Sequence, residues 1–293
     1  MYEPEVSIIT PTNNIIEEQK TDDFYLQINL LDKQTYPYIE HIVMDNASSD
    51  GTQDLLKDYK NNGYISFFSA PDQGKYDAMN KGVMRAKGKY VGFLSCDDFY
   101  HDIMGISDVV EAMEKNDADY CVFPSYCVQP EGQAFLYVPS LYNVFQVSPC
   151  PRQALILKKE TFLNLGSFDS KFKLLAHYDF MIRLVMNNCK GIFLDKNLVT
   201  YKLEEQALKH TTQVNAESSH IYYKNYKSLY PMTDEILDRI VTISEIPKPL
   251  LDKFAQYFPD GQEEFYNRYQ QMYEMRLENA NLMREQERNN RRV

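Results

Sequence analysis

Hydrophobic and polar positions along the first 116 residues follow two alternating periods. Short apolar runs bounded by turn residues predict buried strands, and longer stretches with apolar residues at helical spacing predict helices. Strands that alternate with helices in this way are typical of an α/β protein whose sheet is mostly parallel and covered by helices on both faces. The predicted strands are residues 6–10, 39–44, 64–69 and 90–94, and the predicted helices are residues 22–34, 52–60, 76–86 and 103–116. Ser49 or Asp50 is expected to cap the helix at 52–60.

The pattern changes after residue 120. From residue 215 onward it favours helices, which Pro247 and Pro249 interrupt. Residues 262–293 form a long polar helix candidate with six Glu and six Arg. Between these regions we expect a turn-rich, strand-like region at 120–157, helices at 159–165 and 177–188, and strands within 190–201.

The composition is that of a globular protein. Hydrophobic residues make up 44% of the 293 residues, which excludes disorder throughout. The 42 acidic and 31 basic residues give a net charge of −11, so we expect no nucleic acid partner. Five cysteines without a C-x-x-C pair indicate a reducing compartment. No stretch approaches the roughly 20 apolar residues of a spanning helix, so we expect a cytoplasmic protein with, at most, peripheral contact at the inner face of the membrane.

Polar and acidic residues follow three of the predicted strands. Residues 10–13 (Thr-Pro-Thr-Asn) follow the first strand, Asp45 ends the second, and Asp97 and Asp98 follow the fourth. In an open α/β sheet, ligands bind at the carboxyl ends of the strands, so these groups are expected to converge on one edge. No strand end carries a G-x-G-x-x-G or P-loop motif, which disfavours a dinucleotide-binding fold and a P-loop protein.

Four blocks of the first hundred residues carry this chemistry in a fixed order. They are Val6–Asn13, Gln34–Thr52, Asp72–Gly82 and Phe93–Asp98. In this order and spacing the blocks resemble a family 2 glycosyltransferase with the GT-A fold, and the resemblance covers about residues 5–200. The third block looks most like the subgroup that serves bacterial exopolysaccharide and O-antigen assembly.

The resemblance implies a GT-A-type, Rossmann-like, mostly parallel sheet flanked by helices, followed by a helical C-terminal extension. Residues 1–210 would form the transferase domain, with a nucleotide-sugar half (1–116) and an acceptor half (117–210), and residues 211–293 the extension. The implied activity is metal-dependent, inverting transfer from a nucleotide-sugar donor, the UDP form, to a saccharide or lipid-linked glycan acceptor in bacterial surface polysaccharide biosynthesis. The alternatives are a catalytically weakened donor-binding or scaffolding protein and a nucleotidyltransferase, although the latter needs a Gly-rich phosphate loop that the first strand lacks.

The donor site implied by the resemblance has a metal centre at its edge. Two adjacent carboxylates at a strand end can hold one hard divalent cation, manganese or magnesium, which clamps a diphosphate. By resemblance, Asp98 coordinates the metal and Asp97 binds the ribose or the metal; capping of the next helix is the structural alternative for both. For Lys75 and for Asp77 and Asn80, a solvated loop or helix surface is the alternative. The nucleotide-sugar contacts implied are Thr10, Pro11, Thr12, Asn13, Asp45, Lys75, Asp77, Asn80 and Asp97.

The catalytic base is expected on the helix at 177–188. Inverting transfer needs a group that takes the proton of the acceptor hydroxyl. Relatives usually carry Asp-Tyr-Asp followed by an apolar helix with an Arg, and this chain reads His177-Tyr178-Asp179 with Arg183 downstream. His177 therefore stands where the usual base stands, and histidine can serve as a base near neutral pH. Three hypotheses stay open: His177 is the base, Asp179 is the base, or the activity is weakened or lost.

Three further features stay open at this point. Arg152 replaces a histidine of the family's His-Gln-Ala segment and can bind an anion or pair with an acid. His210 is a candidate third metal ligand or an exposed loop histidine. The helix at 262–293 has apolar residues at alternating spacings of three and four, which predicts a homo-oligomer, while its terminal arginines can equally contact an anionic membrane.

Overall fold

The computed structural model describes residues 5–203 and 211–290 of the chain. Its described strands fall into two sheets. In chain order the strands are β1 (Val6–Thr12), β2 (Ile39–Asp45), β3 (Ser66–Ser69), β4 (Tyr90–Phe93), β5 (Phe99–Tyr100), β6 (Tyr120–Val122), β7 (Ser125–Val128), β8 (Ala134–Tyr137), β9 (Leu155–Lys158), β10 (Gly191–Phe193) and β11 (Val199–Lys202).

The larger sheet has seven strands in the order β10-β6-β9-β4-β1-β2-β3. All neighbours run parallel except β9, which is antiparallel to both β4 and β6. The smaller sheet has the order β5-β11-β7-β8. The prediction of a mostly parallel α/β sheet is therefore confirmed. Strand β4 is buried throughout and β1 at every residue except Pro11, as parallel strands between helical layers usually are.

The first strand continues past the point at which the sequence predicts its end. β1 includes Pro11 and ends at Thr12, so the expectation that it stops before the proline is wrong. Strand β4 pairs with β1 only as far as Ile9, opposite Phe93, whereas β2 pairs with β1 up to Thr12. Beyond Ile9, β1 has a strand neighbour on one side, and a proline without an N–H is tolerated there. This extension carries Thr12 alongside Asp45.

The helices appear where the apolar spacing predicts them. The N-terminal cap of α2 is an exception: Gly51, with a φ of 97°, occupies the cap position expected for Ser49 or Asp50. Asp50 still accepts a hydrogen bond from the Thr52 N–H at 3.0 Å. The helices are α1 (Thr21–Asp32), α2 (Thr52–Asn61), α3 (Lys75–Val83), α4 (Gly105–Asn116), α5 (Lys159–Asn164), α6 (Ala176–Met186), α7 (Thr211–Tyr226), α8 (Asp234–Ile243), α9 (Lys248–Ala255) and α10 (Gln262–Asn290).

The described chain divides into two compact units, each built from several segments. The first unit contains both sheets, and an apolar cluster joins β1, β4, β6 and β9 to α4. The second unit is helical, and Phe145 and Phe254 stack at its centre with ring centroids 3.9 Å apart. Within the described residues, the first unit comprises 5–139, 150–176 and 189–203, and the second comprises 140–149, 177–188 and 211–290. The domain boundary expected at residue 210 stays a prediction.

No helix among the described residues combines the length and the apolar character that crossing a bilayer requires.

Candidate active site

The carboxyl ends of β1 and β2 bring the first group of predicted residues together. The strands pair in parallel up to Thr12 and Asp45, whose Oγ1 and Oδ1 atoms lie 3.4 Å apart. A cavity of about 250 Å³ opens beside Thr12. Its described lining is Pro11, Thr12, Asn13, Glu18, Lys20, Asn46, Asp72, Gly74, Lys75, Ser95 and Cys96.

Asp45 organises the turns around the cavity. Its carboxylate is buried and accepts hydrogen bonds from the Ser48 N–H at 3.0 Å and from the Ser69 hydroxyl at 2.6 Å. The Ser48 hydroxyl also donates to it at 2.5 Å. These bonds fix the loop after β2 and the end of β3. A contact between Asp45 and the base of a nucleotide, which the resemblance implies, stays a prediction.

Asp98 is a buried carboxylate with one oxygen held firmly and the other without a partner. Its Oδ2 accepts from the Ser95 N–H at 2.6 Å and from Nε2 of Gln153 at 2.7 Å, and Nη2 of Arg152 lies 3.8 Å away. Its Oδ1 has no hydrogen-bond partner among the described residues. Burial raises the pKa of Asp98 to about 6 against the opposing effect of Arg152, and the neighbouring Asp97 adds to the rise.

Asp97 pairs with a lysine that the sequence analysis does not single out. Nζ of Lys20, just before α1, lies 3.3 Å from Oδ2 of Asp97 and the same distance from Oε2 of Glu18. The Asp97 side chain is 7% exposed and that of Lys20 is 21% exposed. Lys20 lies 77 positions from Asp97 in a loop without a motif, so no local pattern indicates this pair.

Arg152, left open by the sequence, pairs with a buried acid. Besides its approach to Asp98, its guanidinium donates to the hydroxyl of Ser95. Two side-chain cations, from Lys20 and Arg152, therefore accompany the two acids of the pair. An arginine that neutralises a buried carboxylate stabilises its charged form and offsets part of the cost of burial.

A buried glutamine fixes the loop that carries the acidic pair. Nε2 of Gln27, on α1, donates to the carbonyl oxygens of Ser95 and Asp98, both at 2.5 Å. The Thr10 hydroxyl donates to Oε1 of Gln27 at 3.1 Å, and Nε2 of His41 lies 2.9 Å from the same hydroxyl. Since the Thr10 proton is used on Gln27, His41 donates through Nε2. The signal in the sequence was a polar residue on the apolar face of α1, between Phe24 and Leu31.

The acidic pair suits a divalent cation that is shared with a ligand. The described residues contain no cluster of three or more His, Cys, Asp and Glu side chains arranged for a metal. Magnesium is usually held by only one or two carboxylates, with the remaining positions filled by water and substrate phosphates. The unpartnered Oδ1 of Asp98 and the adjacent carboxylate of Asp97 supply such a set. His210 lies outside the described residues.

The residues predicted on α3 separate into two groups. Lys75 lines the cavity, whereas neither Asp77 nor Asn80 belongs to its described lining. Asp77 accepts from Nζ of Lys81 at 2.8 Å and from the Gln73 N–H at 2.9 Å. Both amide atoms of Asn80 bond the backbone of one residue, Phe168, at 2.8 and 3.1 Å. The side chain of Asn80 thus clamps the segment that follows α5, and its predicted donor contact remains to be tested.

The predicted catalytic residues lie on α6, in the second unit. Asp179 is completely buried and surrounded by donors: Arg183 at 2.9 Å, Lys224 at 3.0 Å and Asn225 at 2.9 Å. Its carboxylate therefore ties α6 to α7. His177, at the start of the helix, is also buried, with 6% of its surface exposed. The described contacts of Asp179 thus include two cations.

A family model, Glycosyl transferase family 2, matches residues 7–170 of the chain. Among curated relatives, the PGL/p-HBAD biosynthesis glycosyltransferase of Mycobacterium tuberculosis is 27% identical over 189 residues, which cover 64% of this chain and 72% of the relative. TuaG of Bacillus subtilis, named for teichuronic acid biosynthesis, is 35% identical over 99 residues, or 33% of this chain and 37% of TuaG.

Solved glycosyltransferase structures share the fold. Staphylococcus aureus TarS (residues 1–349, with UDP-GlcNAc) has a TM-score of 0.63 at 15% identity, covering 95% of this chain and 92% of that one. In a longer TarS structure the match spans 50% of that chain. The mannosyltransferase PcManGT of Pyrobaculum calidifontis, with GDP-Man and Mn²⁺, has a TM-score of 0.59 at 15% identity, covering 96% and 81%. At these identities the likeness shows the fold, which confirms the GT-A-type architecture.

Proposed function

The chain belongs to glycosyl transferase family 2, and we propose that it moves a sugar from a nucleotide-sugar donor, the UDP form, to a saccharide or lipid-linked glycan in bacterial surface polysaccharide or glycoconjugate assembly. It is a glycosyltransferase by family. The acceptor class is supported by the names of the mycobacterial relative and TuaG, and the UDP donor by the ligand of TarS. The observation that carries the proposal is the cavity at the end of β1, whose described lining includes Thr12, the strand neighbour of Asp45, and Lys20, the ion-pair partner of Asp97.

The donor diphosphate is proposed to bind through a divalent cation, manganese or magnesium, at Asp97 and Asp98. When bound, such a cation supplies the positive charge that stabilises the leaving diphosphate. The chain's own residues hold the acids ready: Gln27 fixes the backbone of their loop, and Gln153 orients the Asp98 carboxylate. The Mn²⁺ in the PcManGT complex supports a metal in this fold.

His177 is the proposed base of an inverting transfer. It would take the proton of the acceptor hydroxyl as that oxygen attacks the anomeric carbon and the bond to the diphosphate breaks. Asp179 suits this role less well, because two cations and an amide already use its carboxylate. We assign Asp179 the positioning of α6, on which His177 stands.

Thermal shift with a panel of nucleotide sugars, each with and without Mn²⁺, tests the donor assignment. A ligand that binds only the folded state stabilises it by about 2.7 kcal/mol at 100 times its dissociation constant. We expect UDP-sugars to raise the Tm in the presence of Mn²⁺ and GDP-sugars to leave it unchanged. The reverse order would replace the UDP assignment, and no response to any nucleotide would contradict the donor site.

A donor-binding protein with weakened catalysis is the second candidate, because His177 stands where the family resemblance implies an Asp that acts as the general base. The two functions predict the same donor binding and differ in turnover. Measuring the release of UDP from a bound UDP-sugar, with and without added glycan acceptors, separates them. Tight binding without release under any condition would favour the second candidate.

A further inference from the structure

Lys20 is a cation that lines the cavity beside Thr12 and has two carboxylate neighbours among the described residues. It lies on the loop between β1 and α1, and it lines the cavity together with Lys75. Its Nζ atom contacts Asp97 and Glu18 at 3.3 Å each. Lys20 is three times as exposed as Asp97, so within this ion pair the lysine is the partner that faces the cavity.

Among the described residues, the charges around the acidic pair come close to balance in the absence of ligand. Asp97, Asp98 and Glu18 contribute three negative charges, and Lys20 and Arg152 contribute two positive charges. A divalent cation arriving at Asp97 therefore meets the amine of Lys20 on the same carboxylate, and two cations within a few ångströms in a poorly solvated site repel each other. Lysine carries its point charge on a flexible four-carbon stem and can change partner, whereas the flat guanidinium of Arg152, next to Ser95 and Asp98, is more restricted.

We propose that Lys20 exchanges partners during donor binding: it neutralises Asp97 in the donor-free protein and moves to the diphosphate oxygens when a divalent cation occupies Asp97. The proposal rests on the proposed function. A divalent cation adds two positive charges to this cluster, and the diphosphate of a nucleotide sugar adds two negative charges, so the net charge of the site is the same with and without the bound pair. Lys20 thus keeps the acidic pair compensated without ligand and contributes a phosphate contact with it.

Three variants test the exchange. Lys20→Met keeps the aliphatic stem and removes the charge, and Lys20→Arg keeps the charge. Lys196→Met is the matched control, because Lys196 also pairs with a carboxylate, Asp108, at 2.7 Å but lines a different cavity. For each protein we would titrate Mn²⁺ without nucleotide, following free Mn²⁺ by electron paramagnetic resonance, and titrate UDP at saturating Mn²⁺ by calorimetry.

The exchange predicts opposite changes in the two affinities. In Lys20→Met, Mn²⁺ should bind the free protein about tenfold more tightly because its competitor is gone, while UDP should bind about tenfold more weakly because a phosphate contact is lost. Lys196→Met should stay within about threefold of the unmodified protein in both titrations. Lys20→Arg keeps the charge, so both of its affinities should change less than those of Lys20→Met.

Other outcomes overturn the exchange in recognisable ways. Weaker binding of both Mn²⁺ and UDP by Lys20→Met would assign the lysine a merely structural role. Weaker UDP binding with unchanged Mn²⁺ affinity would leave a simple phosphate contact. Two unchanged affinities would show that Lys20 takes no part in the site. If the unmodified protein binds neither Mn²⁺ nor UDP, the proposed function itself fails, whereas normal binding there confines the failure to the role of Lys20.

Discussion

At the scale of single residues, the acidic pair is shaped by what surrounds each carboxylate. Asp98 is buried, and its pKa is raised to about 6 by burial, because water is not available to solvate the charge. Asp97 keeps a lysine beside it at the edge of the cavity. Asp98 is thus fixed by Ser95 and Gln153, whereas Asp97 lies next to the amine of Lys20.

Replacing Asp98 by Asn should separate function from stability. The change removes a charge whose burial is unfavourable but leaves Arg152 without its acid. Because these two effects oppose each other and the shape of the side chain is kept, the Tm should fall by no more than a few degrees. Metal-stimulated transfer should fall by about 10²-fold or more, since a metal ligand contributes several kcal/mol to the transition state. Asp108→Asn, which alters a carboxylate paired with Lys196, is the control. Full turnover of the Asp98→Asn enzyme with unchanged metal dependence would contradict the metal assignment.

His41 should make the stability of the protein depend on pH. Burial lowers its pKa to about 3, whereas the unfolded chain binds the proton near pH 6.5. Between these values the unfolded state holds one proton more than the folded state. The contribution of His41 therefore lowers the free energy of unfolding by about 1.4 kcal/mol for each unit that the pH falls. Above pH 6.5 the stabilising contribution of the neutral His41 is fully present. Urea unfolding at pH 5 and pH 7 should show a difference that His41→Gln reduces by about 2 kcal/mol. Equal pH differences in both proteins would rule out His41 as the source.

The sequence made the residues at the strand ends predictable and left their partners hidden. Asp45, Asp97 and Asp98 follow apolar strands, and the edge of a parallel sheet collects whatever follows its strands. Gln27 and Lys20 act on Asp98 and Asp97 over about 70 positions of sequence, through contacts that only the packing of α1 against the sheet creates. A single sequence holds no pattern for such pairs.

At the scale of elements, prediction failed where one backbone position decided the outcome. The apolar runs predict the helices and strands correctly because buried positions recur with the period of each element. The sequence predicts that β1 ends before Pro11. The strand continues because, among the described residues, no strand pairs with β1 on its β4 side beyond Ile9, so the missing N–H of the proline is tolerated there. Gly51 caps α2 because its φ of 97° suits glycine, whereas Asp50 reaches over it to Thr52.

The junction between α6 and α7 allows the two candidate bases to be told apart. His177→Ala should lower transfer by about 10²-fold or more with little change in donor affinity, as expected for the loss of a general base. Asp179→Asn leaves Arg183 and Lys224 without their shared anion and should lower the free energy of unfolding by about 2 kcal/mol, less than for wholly buried partners because both cations reach water. Steady-state kinetics and urea unfolding of both variants show which of the two residues is the general base.

The opposite pattern has a clear meaning. If Asp179→Asn folds with normal stability and loses transfer while His177→Ala remains active, Asp179 is the base. If neither variant changes the rate, the base lies elsewhere. Arg183→Met provides a reference for the structural effect alone, because it breaks the same cluster and leaves both candidate bases in place.

At the scale of the whole molecule, α10 differs in character along its length. It has 29 residues and so extends over about 43 Å. Its first part is anchored within the second unit: Phe265 is buried, Tyr269 hydrogen-bonds the backbone of Ile246, and Arg276 donates to the carbonyl of Val241. Its later part exposes Leu282 and Met283. The sequence predicts a seam along the helix, and three of its apolar residues, Met275, Leu282 and Met283, are exposed.

Self-association through α10 is therefore best tested by removing its later half alone. Ending the chain after Leu277 keeps the anchoring contacts of Phe265, Tyr269 and Arg276, whereas ending it near Gly261 would also expose the aromatic core of the second unit. Burial of Leu282 and Met283 against a second copy would remove apolar surface from water and favour a homo-oligomer. Light scattering should then give a larger mass for the full chain than for the shortened one, at equal Tm. Equal monomer masses would contradict the oligomer, and if in addition only the full chain binds vesicles containing anionic lipid, the exposed half of the helix contacts membranes instead.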